Sequence, residues 1–497
     1  MAGSISNNAF ITIWKTDNVG TSNDNQITLP IINSGTINFF VEWGDGLSDT
    51  ITSYNQAELT HTYPEAGTYE VKIYGPLTAF RFNNGGDKLK ITEVKQWGSG
   101  FKITTFSSFY NCTNLNIATI DRLVLSGAVY STFRGVSSLP ASIRNIGRWD
   151  TSNVTDMRFL FYGCTNFNSN INNWDVSSVT NMSYLFNDCT NFNQPLDNWD
   201  ISNVTTMYEL FKGCTNFNQP LNSWGTSNVT NMSRTFLGCT NFNQPLNSWD
   251  TSNVTNISFM FESCTNFNQP LDNWDTSNVT NMQRTFFNCT NFNQPLNSWD
   301  VSSVTNMNFL FRNTNFNQPL NSWDTSNVTN MNGLFQDCTN FNQSLNSWNV
   351  LSVTNMSFMF EGCTNFNQSL NSWDVSSVTN MSFMFESCTN FNQSLNSWDV
   401  SSVTNMQRTF RLCTNFNQPL NSWDVSSVTN MSLMLNGVTL STENYDATLI
   451  SWASQSVQSN VPFHGGNSKY TAGGEAEAAR NTLINTYNWT ITDGGPA

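Results

Sequence analysis

The chain has 497 residues, of which 38% are hydrophobic, 13% aromatic and only 11% charged. The hydrophobic and aromatic content excludes a disordered chain, and the length is too great for one ordinary core, which leaves several domains or a repeat array. The net charge is −15 and no basic run occurs. A nucleic-acid partner is therefore not expected, because phosphate binding depends on clustered Lys and Arg.

The amino-terminal stretch, MAGSISNNAFITIW, lacks the charged start and the apolar run of a secretory signal. No later stretch is long and apolar enough to cross a bilayer. We therefore expect no signal in these residues and no direct membrane insertion.

Residues 1–98 are predicted to form a small β-sandwich. Runs with a period of two, such as INFFVEW and TYEVKIY, are separated by turn signals between residues 8 and 90. Residues 99–148 keep the outline of the following repeats only loosely, in FSSFYNCTNLN and YSTFRGVSSLP, and are interpreted as degenerate amino-terminal coils.

Residues 149–435 form a regular repeat array. Ten of the eleven intervals between successive repeat tryptophans are 25 residues and one is 24. The tryptophans are Trp149, Trp174, Trp199, Trp224, Trp249, Trp274, Trp299, Trp323, Trp348, Trp373, Trp398 and Trp423. A fixed period of this length is the signature of a solenoid.

Each repeat is predicted to contain a short parallel strand and a short helix. The end of one unit (Leu395, Trp398 and Val400) has the spacing of the LxxLxL strand in leucine-rich repeats. The segment VTNMSFMFESC follows Ser and Thr positions suited to an N-cap, and its apolar spacing predicts one or two turns of helix. The fold class is thus a repeat solenoid of leucine-rich-repeat type preceded by a small all-β domain.

The cysteines recur once per coil, and the equivalent place in the flanking coils holds Val136 and Val438. We interpret them as free, buried thiols that pack as small hydrophobic side chains. The coil with the 24-residue interval lacks this cysteine. No histidine accompanies the cysteines within the coils, so a metal site there is not predicted.

An acidic column follows the repeat tryptophan. One interpretation is that each Asp accepts hydrogen bonds from the turn that follows it. The alternative is a calcium site shared between coils, because hard cations take oxygen ligands. The candidate ligands are Asp175, Asp200, Asp250, Asp275, Asp300, Asp324, Asp374 and Asp399. Asn193 and its equivalents are predicted to form a side-chain ladder that satisfies loop backbone groups.

The two residues after the repeat Met change freely from coil to coil. We interpret these positions as exposed and as the candidate contact surface for an irregular protein ligand. The residues are Tyr184, Tyr208, Glu209, Arg234, Arg284 and Arg408. The uniform stripe around Ser248 and Asp250 would instead suit a repetitive partner such as a glycan or a fibre.

Residues 436–497 leave the repeat pattern and are predicted to form a carboxy-terminal cap. The segment EAEAARNTLINTY predicts a helix and NWTITDGG a closing strand. A solenoid needs such atypical ends, because its terminal coils would otherwise expose apolar faces.

Coils of the form WDVSSVTNMSFMFESCTNFNQ resemble, over residues 101–497, the BspA-like leucine-rich-repeat surface proteins of bacteria. VEWGDG at 41–46 and HTYPEAGTYEVKIYG at 61–75 resemble the PKD domain, an immunoglobulin-like sandwich. That resemblance implies a tight turn at Asp45 and Gly46, with Tyr63 and Tyr69 in the core. The resemblance to the bacterial surface proteins implies exposure at the cell surface and attachment to host, matrix or cell-surface proteins or glycans.

An enzyme is not predicted. The two histidines, His61 and His464, lie outside the array and no nucleophile, phosphate-binding or zinc motif surrounds them. No cofactor is predicted, and the sequence does not indicate the oligomeric state. The leading hypothesis is an extracellular adhesion or recognition protein. Alternatives are a structural or receptor-binding part of a phage tail or contractile injection particle, and ice binding by regular Thr and Ser faces.

Overall fold

The computed structural model describes residues 8–497. Residues 1–7, which begin both the predicted sandwich and the stretch in which no signal is expected, lie outside the described residues. The chain forms two compact units, one that ends at Asn253 and one that runs from Val254 to Ala497.

The first unit opens with strands whose side chains alternate between the core and the surface. Phe10, Thr12 and Trp14 of its first strand are buried and the residues between them are half-buried, as the period of two predicts. The strands described in this unit are β1 (Phe10–Lys15), β2 (Gln26–Thr28), β3 (Phe39–Glu42), β4 (Ser48–Ile51), β5 (Thr60–Thr62), β6 (Thr68–Tyr74), β7 (Ile91–Gln96), β8 (Asn116–Ile117), β9 (Val124–Ala128) and β10 (Asp150–Asp156).

A six-stranded sheet has the order β4-β3-β6-β1-β7-β8, while β2 pairs with β5 and β9 pairs with β10. Strands β7 and β8 are parallel, so this sheet extends into the residues predicted as degenerate coils. The Asp121 carboxylate accepts the backbone N–H groups of Trp97 at 3.0 Å and Gly98 at 2.7 Å. These bonds fix the chain where the amino-terminal sheet passes into the coils.

The expected turn and one expected core residue are present among the amino-terminal strands. Gly46 has a φ of 94°, and Asp45 accepts the N–H of the residue two positions later at 3.0 Å. Tyr63 is buried and its hydroxyl donates to the Trp43 carbonyl at 3.0 Å. Tyr69 was expected in the core, but it is half-buried because it stacks on the outer side of Tyr63, with ring centroids 3.7 Å apart.

The segment predicted as a helix in each repeat forms consecutive turns instead. The N–H of Leu185 bonds to the carbonyl of Met182 at 3.2 Å, three residues earlier, and φ of Tyr184 is 62°. A second turn ends at Cys189, with a φ of 59° at Asp188. Positive φ at the third residue is typical of type II turns and cannot occur within an α-helix. The helix prediction was therefore wrong.

The turns are stabilised by hydrogen bonds between coils, because they direct alternate peptide groups towards the neighbouring coils. The carbonyl of Ser183 accepts the N–H of Phe159 from the preceding coil at 3.1 Å. The N–H of Tyr184, in the same peptide group as that carbonyl, donates to Tyr208 of the next coil at 2.9 Å. Such peptide groups therefore stack in columns with all N–H groups pointing towards the carboxy terminus. A helix would keep these groups within its own segment.

The parallel pairing lies elsewhere than predicted. The Leu-x-x-Trp segment is a turn, in which the N–H of Trp199 bonds to the carbonyl of Leu196 at 3.2 Å. Parallel bridges join single residues of the Val-Thr-Asn segment, such as Asn181 and Thr206. The Trp199 indole donates instead to the carbonyl of Ile171 in the preceding coil at 3.0 Å. The predicted LxxWxV strand is therefore absent, because its polar groups bond within turns and to neighbouring coils.

Aromatic side chains stack from coil to coil in the core. In the second unit, Phe286 and Phe311 have parallel rings 5.8 Å apart, and the rings of Trp274 and Trp299 are 6.2 Å apart. All four side chains are buried. Equivalent Phe and Trp side chains of neighbouring coils thus pack on one another in the core, which explains why these positions hardly vary along the chain.

The cysteines form a further buried column, and all eleven are free thiols. The Cys214 thiol donates to the carbonyl of Phe186 in the preceding coil at 2.9 Å. In the 24-residue repeat Thr314 fills this place, and its buried hydroxyl donates to Phe311 at 2.8 Å. Burial raises the pKa of Cys338 to about 12, which leaves the thiol protonated and able to donate.

The second unit ends in a cap made of α1 (Thr442–Ala453), β11 (Pro462–His464), α2 (Glu475–Tyr487) and β12 (Thr490–Thr492). Helix α2 and strand β12 coincide with the sequence predictions, whereas α1 was not predicted. Pro462 and His464 accept the N–H groups of Met431 and Leu435 from the last coil, at 3.1 and 3.0 Å. The cap thereby satisfies N–H groups of the final coil. Among the described residues, no helix has the length and apolar character needed to cross a membrane.

Candidate recognition surface

In each unit, the positions two and five residues after the repeat Met, or after the residue that replaces it, form a surface that we name the ribbon. At the first of these positions φ lies between 53° and 62° in the residues Phe159, Tyr184, Glu209, Arg234, Phe259, Arg284, Phe309, Gly333, Phe358, Phe383, Arg408 and Leu433. A left-handed conformation costs a residue other than glycine about 1–2 kcal/mol. Large aromatic and basic side chains are therefore held here by the stack of peptide groups rather than by local preference.

Five of the six predicted contact residues occupy the left-handed position of the ribbon. They are Tyr184, Glu209, Arg234, Arg284 and Arg408. The sixth, Tyr208, lies directly before it. The side chains of Arg234, Arg284 and Arg408 are each about one-third exposed, at 33–35%. All six side chains were predicted to be exposed, but five are half-buried, and Glu209 is buried. Their role as contact residues stays a prediction.

In the first unit the ribbon begins with stacked rings. Phe159 and Tyr184 stack with centroids 4.2 Å apart, and Tyr184 meets Tyr208 edge to face at 5.0 Å. The Arg134 guanidinium lies 4.9 Å from the Phe159 ring and 4.8 Å from the Tyr162 ring. Arg134, Phe159 and Tyr162 were not among the predicted residues. Their place in the varying columns could have indicated them.

Glu209 was predicted to be exposed, but its side chain is buried, with 5% of its area exposed. Its carboxylate accepts hydrogen bonds from Asn187 at 2.8 Å, Lys212 at 3.0 Å and Arg234 at 3.0 Å. Burial alone would raise the pKa of Glu209, but the hydrogen bonds from Lys212, Arg234 and Tyr208 outweigh it and lower the pKa. Glu209 therefore positions its neighbours and is not itself a contact residue.

In the second unit arginines alternate with rings. The Arg284 guanidinium lies 4.6 Å from the Phe287 ring and 5.5 Å from the Phe309 ring, and Arg312 lies 5.2 Å from Phe287. Further along, Phe358 and Phe383 stack at 4.4 Å. Cation–π contacts of this kind fix the long arginine side chains in place.

Carboxylates occupy two ribbon positions of this second stretch, each five residues after the repeat Met. Glu386 pairs with Arg411, and Gln336 donates to Glu361 at 2.5 Å. Burial, together with the nearby charges of Glu386 and Asp337, raises the pKa of Glu361 to about 7. Glu361 therefore ionises near neutral pH.

The carboxylates of the acidic column accept hydrogen bonds from the turns that follow them. The Asp250 carboxylate accepts the N–H of Ser252 at 3.0 Å and its hydroxyl at 2.6 Å. These hydrogen bonds lower the pKa of Asp250. Asp200 and Asp399 accept the same backbone bond, each at 3.0 Å. Nowhere in residues 8–497 are three or more His, Cys, Asp and Glu side chains gathered as a group able to hold a metal ion.

The predicted asparagine ladder is present. The Asn193 side-chain oxygen accepts the N–H of Asn218 at 2.9 Å and the amide of Gln219 at 3.0 Å. The same pattern recurs with Asn218 and Asn243 at 2.9 Å. The ladder therefore satisfies loop backbone groups between neighbouring coils.

The two histidines lie in different units. His61 belongs to β5, as its strand pattern predicts, and its Nε2 lies 2.8 Å from the Asp45 carboxylate while its ring stacks on Trp43 at 4.6 Å. His464 belongs to β11, and burial lowers its pKa. Neither histidine is part of the ribbon.

A family described as "Mycoplasma protein of unknown function, DUF285" matches residues 128–247, 219–315, 296–382 and 359–470. These overlapping matches cover most of the coils in both units and account for more than half of the chain. No curated protein matches the sequence. The chain is therefore a tandem-repeat protein that belongs to the DUF285 family.

Proposed function

We propose that the protein is a non-enzymatic recognition or adhesion protein and that its ribbon contacts a protein partner outside the cell. The observation that supports this most strongly is the left-handed position of the ribbon, occupied in coil after coil by aromatic or basic side chains. Backbone strain of this kind concentrates at functional sites. The identity of the residue changes along the ribbon, as recognition of an irregular surface requires.

The composition of the ribbon also fits protein recognition. Tyr and Arg are enriched among the residues that dominate binding energy in protein interfaces. Here stacking fixes Tyr184 against Phe159 and cation–π contacts fix Arg284 before any partner arrives. Side chains that are already ordered lose less entropy on binding.

The finer assignment rests on resemblance. The coils resemble the BspA-like leucine-rich-repeat surface proteins and the sandwich resembles a PKD domain. We therefore propose an extracellular or surface location, with host, matrix or cell-surface proteins as the first partners to test. A glycan that binds the uniform stripe around Ser248 and Asp250 would fit the same extracellular or surface location.

The acidic column supports a role without catalysis. The pKa values of Asp200, Asp250 and Asp300 are all lowered by the same kind of hydrogen bond from the following serine. Acid–base catalysis by paired carboxyls requires two pKa values that differ strongly. Repeated coils give these carboxyls equal environments.

The experiment uses the full chain on a panel of immobilised matrix and cell-surface proteins, measured by surface plasmon resonance. Tyr184→Ala, Arg284→Ala and Arg408→Ala in one chain should weaken binding to any bound panel member at least tenfold, about 1.4 kcal/mol. The matched control, Ser248→Ala with Asp250→Asn, alters the uniform stripe and should leave the affinity unchanged. A larger loss in the control than in the ribbon variant would overturn the assignment.

A further inference from the structure

Basic residues are concentrated near the start of the coils. Ten basic and five acidic residues lie between Arg81 and Arg158, whereas the whole chain has 20 basic and 35 acidic residues. This stretch is therefore positive in a chain that is otherwise strongly acidic. A local excess of positive charge attracts anionic ligands.

Two of these arginines line a cavity of about 440 Å³ in the first unit. Its walls are formed by residues 142–148, with Asn170 and Asn173 from the next coil. In this coil the sequence SIRNIGRW replaces the regular Leu-Asn-Ser-Trp turn. Asn145 has a φ of 59° and its side chain donates to the Ile120 carbonyl at 2.8 Å, which anchors the segment.

Arg144 and Arg148 lack acidic partners. Both side chains are exposed, and among the described residues neither guanidinium forms an ion pair or a hydrogen bond within the protein. The neighbouring arginines differ: Arg122 pairs with Asp150 at 2.6 Å and Arg158 with its own acidic neighbour at 2.7 Å. Two unpaired guanidinium groups at one cavity favour an anionic group, because arginine binds carboxylates with two parallel hydrogen bonds.

The surroundings of the cavity favour a sugar rather than a peptide. A second cavity of about 300 Å³ shares Asn173 and continues along Asn172 and Asn198. Amide side chains both donate and accept, which suits the hydroxyl groups of a saccharide. Asn173 and Asn198 occupy the same position in two successive coils, so neighbouring sugar units can meet the same kind of side chain. The second cavity is also lined by Asp175 and Asp200, which would repel further anionic groups.

We propose that the cavity beside Arg144 and Arg148 binds the carboxylate of an acidic saccharide unit, with Asn170 and Asn173 bonding to its hydroxyl groups. The next sugar units, which lie along Asn172 and Asn198, are uncharged. This site is separate from the ribbon and does not depend on the partner of the ribbon.

The test is isothermal calorimetry of the full chain with short oligosaccharides that carry one uronic acid, against neutral oligosaccharides of the same length. We expect binding of the acidic probe that weakens at high salt, and no binding of the neutral probe. Arg144→Gln and Arg148→Gln should each reduce the affinity at least tenfold. Arg122→Gln, which removes the same charge from the same unit, should change it less than twofold. Thermal melting checks that each variant is folded.

Several outcomes would overturn the proposal. They are no binding of the acidic probe at millimolar concentration, an equal loss with Arg122→Gln, equal binding of an oligoglutamate peptide, and binding of sulfated probes alone. The ribbon variant described above should bind the acidic probe as the wild type does, so failure of this site and failure of the ribbon assignment are distinguishable.

Discussion

The N–H of Tyr184 donates to the carbonyl of Tyr208 in the next coil at 2.9 Å, and φ of Tyr184 is 62°. The two facts are linked, because the turn that produces the positive φ directs this N–H along the stack rather than back into its own coil. The same peptide group accepts a hydrogen bond from Phe159 at 3.1 Å. Stability between coils and the outward placement of the ribbon therefore have one structural origin.

Gly238 and Gly225 provide a matched test of the left-handed turns. Gly238 has a φ of 75° and room for a methyl group, whereas Gly225 has nothing within 4 Å and no positive φ. Gly238→Ala should lower the free energy of unfolding by about 1 kcal/mol, because alanine is strained at this φ. Gly225→Ala should leave it unchanged or raise it slightly. Urea denaturation of both variants measures the difference, and equal effects would contradict the account.

The thiols should be inert in the folded protein. All eleven are buried, and burial raises the pKa of thiols such as Cys214, and that of Cys338 to about 12. Iodoacetamide at pH 8 should therefore leave the native chain unlabelled, because the thiolate is the reactive form. In denaturant without reductant it should label all eleven. Mass spectrometry counts the labels; rapid native labelling, or fewer labels after denaturation, would count against free buried thiols.

Substitutions of Asp250 test whether the acidic column stabilises the turns through its hydrogen bonds. Asn349 replaces Asp in one coil and still accepts the N–H of Leu351 at 3.1 Å. Asp250→Asn should therefore be neutral at pH 7, and Asp250→Ala should cost about 0.5–1 kcal/mol for the lost hydrogen bonds. That neutrality refers to the backbone hydrogen bond alone, which Asn keeps. Because the pKa of Asp250 is lowered, its ionic contribution is present above the usual Asp pKa and is lost as pH falls through the lowered value, so Asp250→Asn should lose this small contribution at pH 7. Denaturation between pH 3 and pH 7 should show a flatter pH dependence for Asp250→Asn than for the wild type.

Glu361 should have the opposite pH dependence. Its pKa is raised to about 7 by burial and by the charges of Glu386 and Asp337, partly offset by Gln336 and Arg312. Stability from this group is therefore complete below the usual Glu pKa and is lost as pH rises through about 7. Glu361→Gln should raise the free energy of unfolding at pH 8 by about 1 kcal/mol, after allowance for solvent screening, and change it little at pH 4. A gain of equal size at both pH values would contradict the raised pKa.

Much of the repeat could be predicted from periodicity alone. Columns such as Trp274 and Trp299, the cysteines and the Asn193 ladder were identified because a fixed 25-residue period places each residue against its own equivalent. Helix α2 and strand β12 were also predicted, because they carry ordinary local patterns.

The turns could not be predicted in full, because their cause lies between coils. The residue before each Cys is often Gly, Asn, Asp or Ser, as at Gly163 and Asn288, and these residue types favour positive φ, although a helix was predicted there. At Phe159 or Arg284 the residue type argues against the left-handed conformation, and only the hydrogen bond to the next coil imposes it. Glu209 was misplaced for a related reason: its burial depends on Lys212 and on Arg234, which lies 25 residues away.

The most direct test of the ribbon is a protection footprint of the full chain bound to the member of the protein panel that it binds most tightly. Hydroxyl-radical oxidation followed by mass spectrometry reports the exposure of individual aromatic side chains with and without the partner. We predict protection of Tyr184, Tyr208 and Phe309, whereas Tyr54, which is 43% exposed among the amino-terminal strands, stays reactive. Protection confined to residues 8–98, or no binding to any panel member, would contradict the assignment of the ribbon as the recognition surface.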